Sequence, residues 1–97
     1  MYILTSDGKG ILDSRFVERF CIVEKQDVVL IIASYSADLA VTIGKYADRK
    51  EADDAFFKLF NSLAGNDSSV PFTMPDSVLF HGESWKRDAR AKRKGGS

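Results

Sequence analysis

Residues 48–66, DRKEADDAFFKLFNSLAGN, decide the fold because they carry the clearest helix signal of the chain. Asp48 precedes Glu51 by three residues, the spacing of a capping box in which each side chain satisfies the backbone N–H of the other residue. Gly65 and Asn66 supply the left-handed stop typical of a helix C-terminus. Between these ends, apolar residues recur with the period of an amphipathic helix: Ala52, Ala55, Phe56, Leu59, Phe60 and Leu63. The pattern predicts a helix with one face packed on a sheet.

The residues before this helix predict a series of short strands. Residues 2–5 are apolar, and residues 7–10, DGKG, form a turn because glycine adopts positive φ without steric cost. Residues 19–24 are rich in aromatic and β-branched types, and residues 39–44 alternate large and small side chains. Residues 28–35 are almost continuously apolar, which favours a central strand covered on both faces.

The residues after the helix predict an extended C-terminal segment. Pro71 and Pro75 each push the preceding residue out of the helical region, and residues 78–80 form a last apolar cluster. The sequence therefore predicts an α+β fold: an antiparallel β-meander of about four or five strands, one amphipathic helix packed on a face, and an extended C-terminal segment. We expect a single domain over residues 1–84 and a basic, disordered tail over residues 85–97.

The expected core follows from the strand alternation and the helix stripe. A register error of one residue would exchange Phe20 and Ile22 for Cys21 and Val23, because side chains alternate between the two faces of a strand. The predicted core residues are Phe20, Ile22, Leu30, Ile32, Val41, Ile43, Phe56, Leu59, Phe60 and Leu63.

Charge divides the chain into two unlike parts. The 97 residues carry 14 basic and 14 acidic side chains, but residues 85–97 hold six bases against one acid, a net charge of +5. Residues 1–84 hold eight bases and 13 acids, a net charge of −5. The tail is either a solvated appendage, the interpretation we favour, or a non-specific nucleic-acid contact that acts through charge. Its candidate phosphate contacts are Lys86, Arg87, Arg90, Lys92, Arg93 and Lys94.

The inventory of chemically reactive residues argues against an enzyme. His81 is the only histidine and Cys21 the only cysteine, so one chain cannot supply the three or four nitrogen and sulfur ligands of a zinc site. No nucleophile is paired with a base, and residues 7–10 lack the Gly-Lys-Ser/Thr ending of a phosphate loop. A solvated helix start explains the acids at positions 48, 51, 53 and 54 better than a cation site does. We expect no catalytic residues, no metal and no cofactor.

The apolar runs and the single cysteine indicate the cellular compartment of the protein. Residues 1–11 lack the basic and long apolar parts of a signal peptide. The longest apolar run, residues 28–33, is far shorter than the roughly 20 residues that span a bilayer. A lone thiol fits a reducing compartment. We expect a cytoplasmic protein that does not enter the membrane.

Two apolar features predict a partner surface. Phe57 lies about 100° around the helix from Phe56, at the margin of the buried stripe. One helix cannot cover both faces of the 28–33 strand, so either the segment 70–80 or another chain covers the second face. These features predict a non-enzymatic interaction module that forms a homodimer or binds another protein. Its candidate partner surface comprises Phe57, Phe72, Met74 and Phe80. The alternative function is an accessory nucleic-acid binder that uses the basic tail.

Three segments carry a resemblance to a known group: VTIGKY at 41–46, ADRKEA at 47–52 and FTMP at 72–75. They resemble small uncharacterised proteins of Gram-positive bacteria that combine an opening strand and Asp-Gly turn, a Gly-x-Tyr strand end, a helix starting near Glu-Ala and an extended Met-Pro segment. The resemblance covers about residues 2–75 and excludes the basic tail. It implies the same fold and brings no activity, cofactor or catalytic residue.

Overall fold

The computed structural model describes residues 1–65 and 70–77, and it confirms the predicted α+β fold, with one helix packed on a strand meander. A short 3-10 turn, Ser14–Phe16, follows the second strand. The elements are β1 (Tyr2–Leu4), β2 (Ile11–Asp13), β3 (Arg19–Glu24), β4 (Val29–Ser34), β5 (Ala40–Tyr46), α1 (Arg49–Ala64) and β6 (Phe72–Thr73).

The strands of the described residues are divided between two sheets, a division that the sequence did not predict. Strands β3, β4 and β5 form an antiparallel meander in that order. In the smaller sheet, β1 lies between β2, which is antiparallel to it, and β6, which is parallel to it. The Ser6 amide donates to the Ile43 carbonyl at 2.9 Å and connects the two sheets.

The helix begins at the predicted N-cap, Asp48, but Ala47 replaces Asp48 as the donor of the second capping bond. The Asp48 carboxylate accepts a hydrogen bond from the Glu51 amide at 2.9 Å, and the Glu51 carboxylate accepts one from the Ala47 amide at 3.1 Å. These contacts satisfy two backbone donors at the helix start. At the other end, the Gly65 amide donates to the carbonyls of Asn61 and Ser62. The predicted left-handed stop is wrong at Gly65, whose φ is −72°.

The core lies between α1 and the β3-β4-β5 sheet. Of the predicted core residues, Ile43 and Leu59 are buried in it, and Phe20, Ile22 and Phe56 are partly buried against it. The smaller sheet and the C-terminal segment add further residues. Among the described residues, the buried cluster consists of Ile3, Leu12, Val29, Ile31, Ala33, Ile43, Tyr46, Ala52, Ala55, Leu59 and Met74.

The predicted orientation of β4 is wrong. Val29, Ile31 and Ala33 are buried, whereas Leu30 and Ile32, which we placed in the core, are only partly buried. A continuous apolar run has no alternation from which its inward face can be deduced. The pairing with β3 decides the face, because Phe20 and Ile22 lie opposite Ala33 and Ile31 and all four side chains point toward α1.

Three other residues of the predicted core are exposed. On α1, Phe60 is 60% exposed and Leu63 is 37% exposed. Leu59 points directly at the sheet. The next residue, Phe60, is rotated about 100° around the helix axis from Leu59, so its ring lies beyond β3, at the edge of the sheet. On β5, Val41 remains 37% exposed near the start of the strand.

Residues 70–77, which we call the C-terminal strap, are extended and fixed to the rest of the molecule at three points. The Met74 amide donates to the Leu4 carbonyl at 2.9 Å. The Tyr46 hydroxyl donates to the Pro75 carbonyl at 2.7 Å, and the Ser77 hydroxyl donates to Glu51 Oε1 at 2.5 Å. The strap therefore pairs with β1 and reaches the N-terminal end of α1.

Candidate interaction surfaces

The face of the β3-β4-β5 sheet that points away from α1 is apolar at its centre. Cys21 lies opposite Ile32, and Val23 lies opposite Leu30, so these four side chains share one face. We call them the outer face. All four are partly exposed, and within the described residues none belongs to the buried cluster or packs against it.

The rim of the outer face is polar. On β5, Thr42 lies opposite Ile32 and Lys45 lies opposite Leu30, and both β5 residues are exposed. On β3, Arg19 lies opposite Ser34 and is also exposed. An apolar centre with a polar rim is the usual composition of a protein–protein interface.

A second apolar surface lies along α1. Phe57 is 62% exposed, as its position at the margin of the helix stripe predicts. Beside it, a groove of about 210 Å³ runs between α1 and the edge strand β3. The residues that line this groove are Phe20, Phe56, Leu59, Phe60 and Leu63.

The structure separates the other residues of the predicted partner surface. Phe72 is partly buried and packs against the core. Met74 is 1% exposed, so its assignment to a partner surface is wrong: the strap turns this side chain inward. Phe80 lies outside the described residues, as do the six candidate phosphate contacts, Lys86, Arg87, Arg90, Lys92, Arg93 and Lys94.

An ion-paired cluster lies where β2 meets the 3-10 turn. The Asp13 carboxylate accepts hydrogen bonds from the Arg15 amide at 3.0 Å and from its guanidinium at 2.7 Å. These bonds to Arg15 lower the pKa of Asp13 from 3.8 to about 2. The carboxylate caps the turn and neutralises an exposed arginine, so its role is structural.

A buried tyrosine fixes the strap. Tyr46 is fully buried, and this burial raises the pKa of its hydroxyl well above the usual value of 10.0. The hydroxyl therefore stays protonated and donates its hydrogen bond to the Pro75 carbonyl. This residue holds the strap against the core.

Within residues 1–65 and 70–77, no group of three or more histidine, cysteine or acidic side chains is placed to hold a metal ion. The helix of this described part is too short and too polar to cross a bilayer.

The sequence predicted the exposure of Phe57 but neither the groove beside it nor the residues that form the outer face. The exposure of Phe57 followed from its helical angle. The run at 28–33 indicated two apolar strand faces, yet it contained no sign of which face meets the helix, so Leu30 and Ile32 were assigned to the core.

Known proteins do not indicate a family or a relative for this chain. Comparisons with protein-family models, with curated proteins and with solved structures found no match. The resemblance to small proteins of Gram-positive bacteria therefore stays a prediction.

Proposed function

We propose that this protein is a non-enzymatic interaction module that self-associates as a homodimer through its outer face. The observation that carries the proposal is the β3-β4 register, which brings Cys21, Val23, Leu30 and Ile32 together on the side of the sheet opposite α1. The strap pairs with β1, and its Met74 side chain enters the buried cluster on the α1 side of the sheet. A second copy is then the natural cover for the outer face.

The size of the outer face predicts a dimer of moderate strength. Three strands about 4.8 Å apart and about 20 Å long present a footprint of roughly 14 by 20 Å. Stable interfaces bury about 800 Å² of accessible surface on each partner, so the polar rim must be covered together with the apolar centre. We therefore expect association at micromolar concentration, which corresponds to a free energy of about −8 kcal/mol.

The charges around the outer face permit this packing. Its four central side chains carry no charge, so two copies packed face to face, with sheets about 10 Å apart, bury no unpaired ion there. Arg19 and Lys45 are exposed and lie at the rim, so their charges stay outside the apolar centre of the contact.

Leu30→Lys is expected to abolish self-association. A lysine at this position places a charge at the centre of the interface, whereas in the monomer it reaches water from a partly exposed site. The measurement is light scattering of the full chain over a micromolar concentration series. The native chain should approach twice its 10.8 kDa mass, and the variant should stay at 10.8 kDa.

Ile11→Lys is the matched control, because Ile11 is 72% exposed on β2, outside the outer face. This control should associate like the native chain. A native mass of 10.8 kDa at every concentration would reject self-association. A Leu30→Lys variant that associates as strongly as the control would place the interface on another surface.

A further inference from the structure

The groove beside α1 is suited to an aromatic ring. Three of its five lining residues are phenylalanines, Phe20, Phe56 and Phe60, and aromatic side chains pack well edge to face. Arg49 pairs with Glu24 at 3.7 Å, which places the start of α1 beside the end of β3. The groove therefore lies along the C-terminal half of α1 and the first half of β3.

The strap ends on the opposite side of the same helix. Ser77, the last described residue of the chain, is hydrogen-bonded to Glu51. Glu51 and Phe60 are nine residues apart, which separates them by about 13 Å along the axis and about 180° around it. A path around a helix about 10–12 Å in diameter is then roughly 22 Å long.

The number of residues beyond Ser77 determines which side chain can reach the groove. An extended chain advances about 3.3–3.6 Å per residue, so residues 78–80 reach at most about 11 Å beyond Ser77. Trp85 follows Ser77 by eight residues and reaches about 26–29 Å. It is the only tryptophan of the chain, and Phe80 is the only other residue of the phenylalanine, tyrosine and tryptophan class after Ser77.

Charge complementarity supports the same placement. The last turn of α1 contains no basic residue, although the C-terminal end of a helix carries partial negative charge. Lys86 and Arg87 follow Trp85 directly, so a tryptophan in the groove brings two cations to this end.

We propose that Trp85 of the same chain fills the groove between α1 and β3 and ties the basic tail to the C-terminal half of the helix. The docked ring covers Phe60, whose side chain is otherwise 60% exposed. This contact is independent of the proposed dimer, because the outer face lies on the other side of the sheet.

Fluorescence of the full chain tests this contact, since Trp85 is the sole source of tryptophan emission. In the native chain, emission should be blue-shifted and less quenched by acrylamide than in urea, and both effects should be independent of protein concentration. Phe60→Ala should lose the blue shift and the protection. Phe57→Ala is the matched control: Phe57 is equally exposed on the same helix and does not line the groove, so the variant should behave like the native chain.

Three results would overturn the proposal. The first is native emission and quenching equal to those in urea. The second is full protection in Phe60→Ala, which would place the ring elsewhere. The third is protection that develops only as concentration rises, which would assign the groove to a second copy. Far-UV circular dichroism checks the fold of each variant, and Leu63→Ala, at another partly exposed groove position, provides the same comparison if Phe60→Ala does not fold.

Discussion

Ile31→Ala should lower the free energy of unfolding by about 2–5 kcal/mol, because it removes a fully buried side chain and leaves a cavity. Its neighbour Ile32 points to the outer face and is partly exposed, so Ile32→Ala should cost only about 1 kcal/mol in the monomer. The two variants change the same residue type at adjacent positions of β4. The difference between their losses in the free energy of unfolding therefore shows which face of the strand lies in the core.

Urea denaturation at low protein concentration measures both losses, and an unchanged slope would show that the denatured states are comparable. A total stability of about 5–15 kcal/mol is typical for a domain, so the Ile31→Ala loss is large enough to be resolved. Equal losses in the two variants, or a larger loss in Ile32→Ala, would contradict the orientation of β4.

Gly44→Ala should lower the free energy of unfolding by about 1–3 kcal/mol through overpacking. A Cβ atom at Gly44 would lie 2.5 Å from the Cε2 atom of Tyr46 and 2.7 Å from its hydroxyl oxygen. The tyrosine ring cannot move aside freely, because it is buried and its hydroxyl donates a hydrogen bond to the Pro75 carbonyl. The substitution should therefore also loosen the strap.

Gly65→Ala is the control for this prediction. A Cβ atom at Gly65 would meet no heavy atom closer than 3.4 Å, and its φ of −72° is open to any residue. Its effect should stay within about 0.5 kcal/mol, and thermal or urea denaturation compares the two variants. A Gly44→Ala variant as stable as the native chain would show that Tyr46 has more room than its contacts indicate.

Local sequence signals predicted the helix and the strand segments well. Asp48 accepts the expected bond from the Glu51 amide, whereas the Glu51 carboxylate accepts from the Ala47 amide, one residue before the predicted donor. The periodic apolar positions gave the helix, and the composition of residues 19–24 and 28–35 gave two strands. These signals depend on neighbours within a few residues, which a single sequence contains.

Contacts between distant segments were harder to predict. The parallel pairing of β6 with β1 joins residues almost 70 positions apart, from Ile3 to Phe72, and no local pattern specifies it. This pairing turns Met74 inward. Because the sequence does not predict the pairing, it placed Met74 on a partner surface. The exposure of Phe60 has a similar origin, because it depends on where the edge of the sheet ends beneath the helix.

The sequence predicted that the sheet has a second apolar face, but not which residues form it. The length of the apolar run at 28–33 showed that both faces of its strand are apolar. Only the register with β3 shows that Leu30 and Ile32 share a face with Cys21 and Val23. A shift of one residue would exchange the buried and outer sets completely.

The reactivity of the Cys21 thiol tests the central claim most directly, because this only cysteine lies on the outer face. We predict that a thiol reagent modifies Cys21 more slowly as protein concentration rises through the range in which the mass doubles. In the Leu30→Lys variant, the rate should not depend on concentration. A native mass that doubles while the Cys21 rate stays constant would contradict the claim, because the two copies would then meet on a different surface.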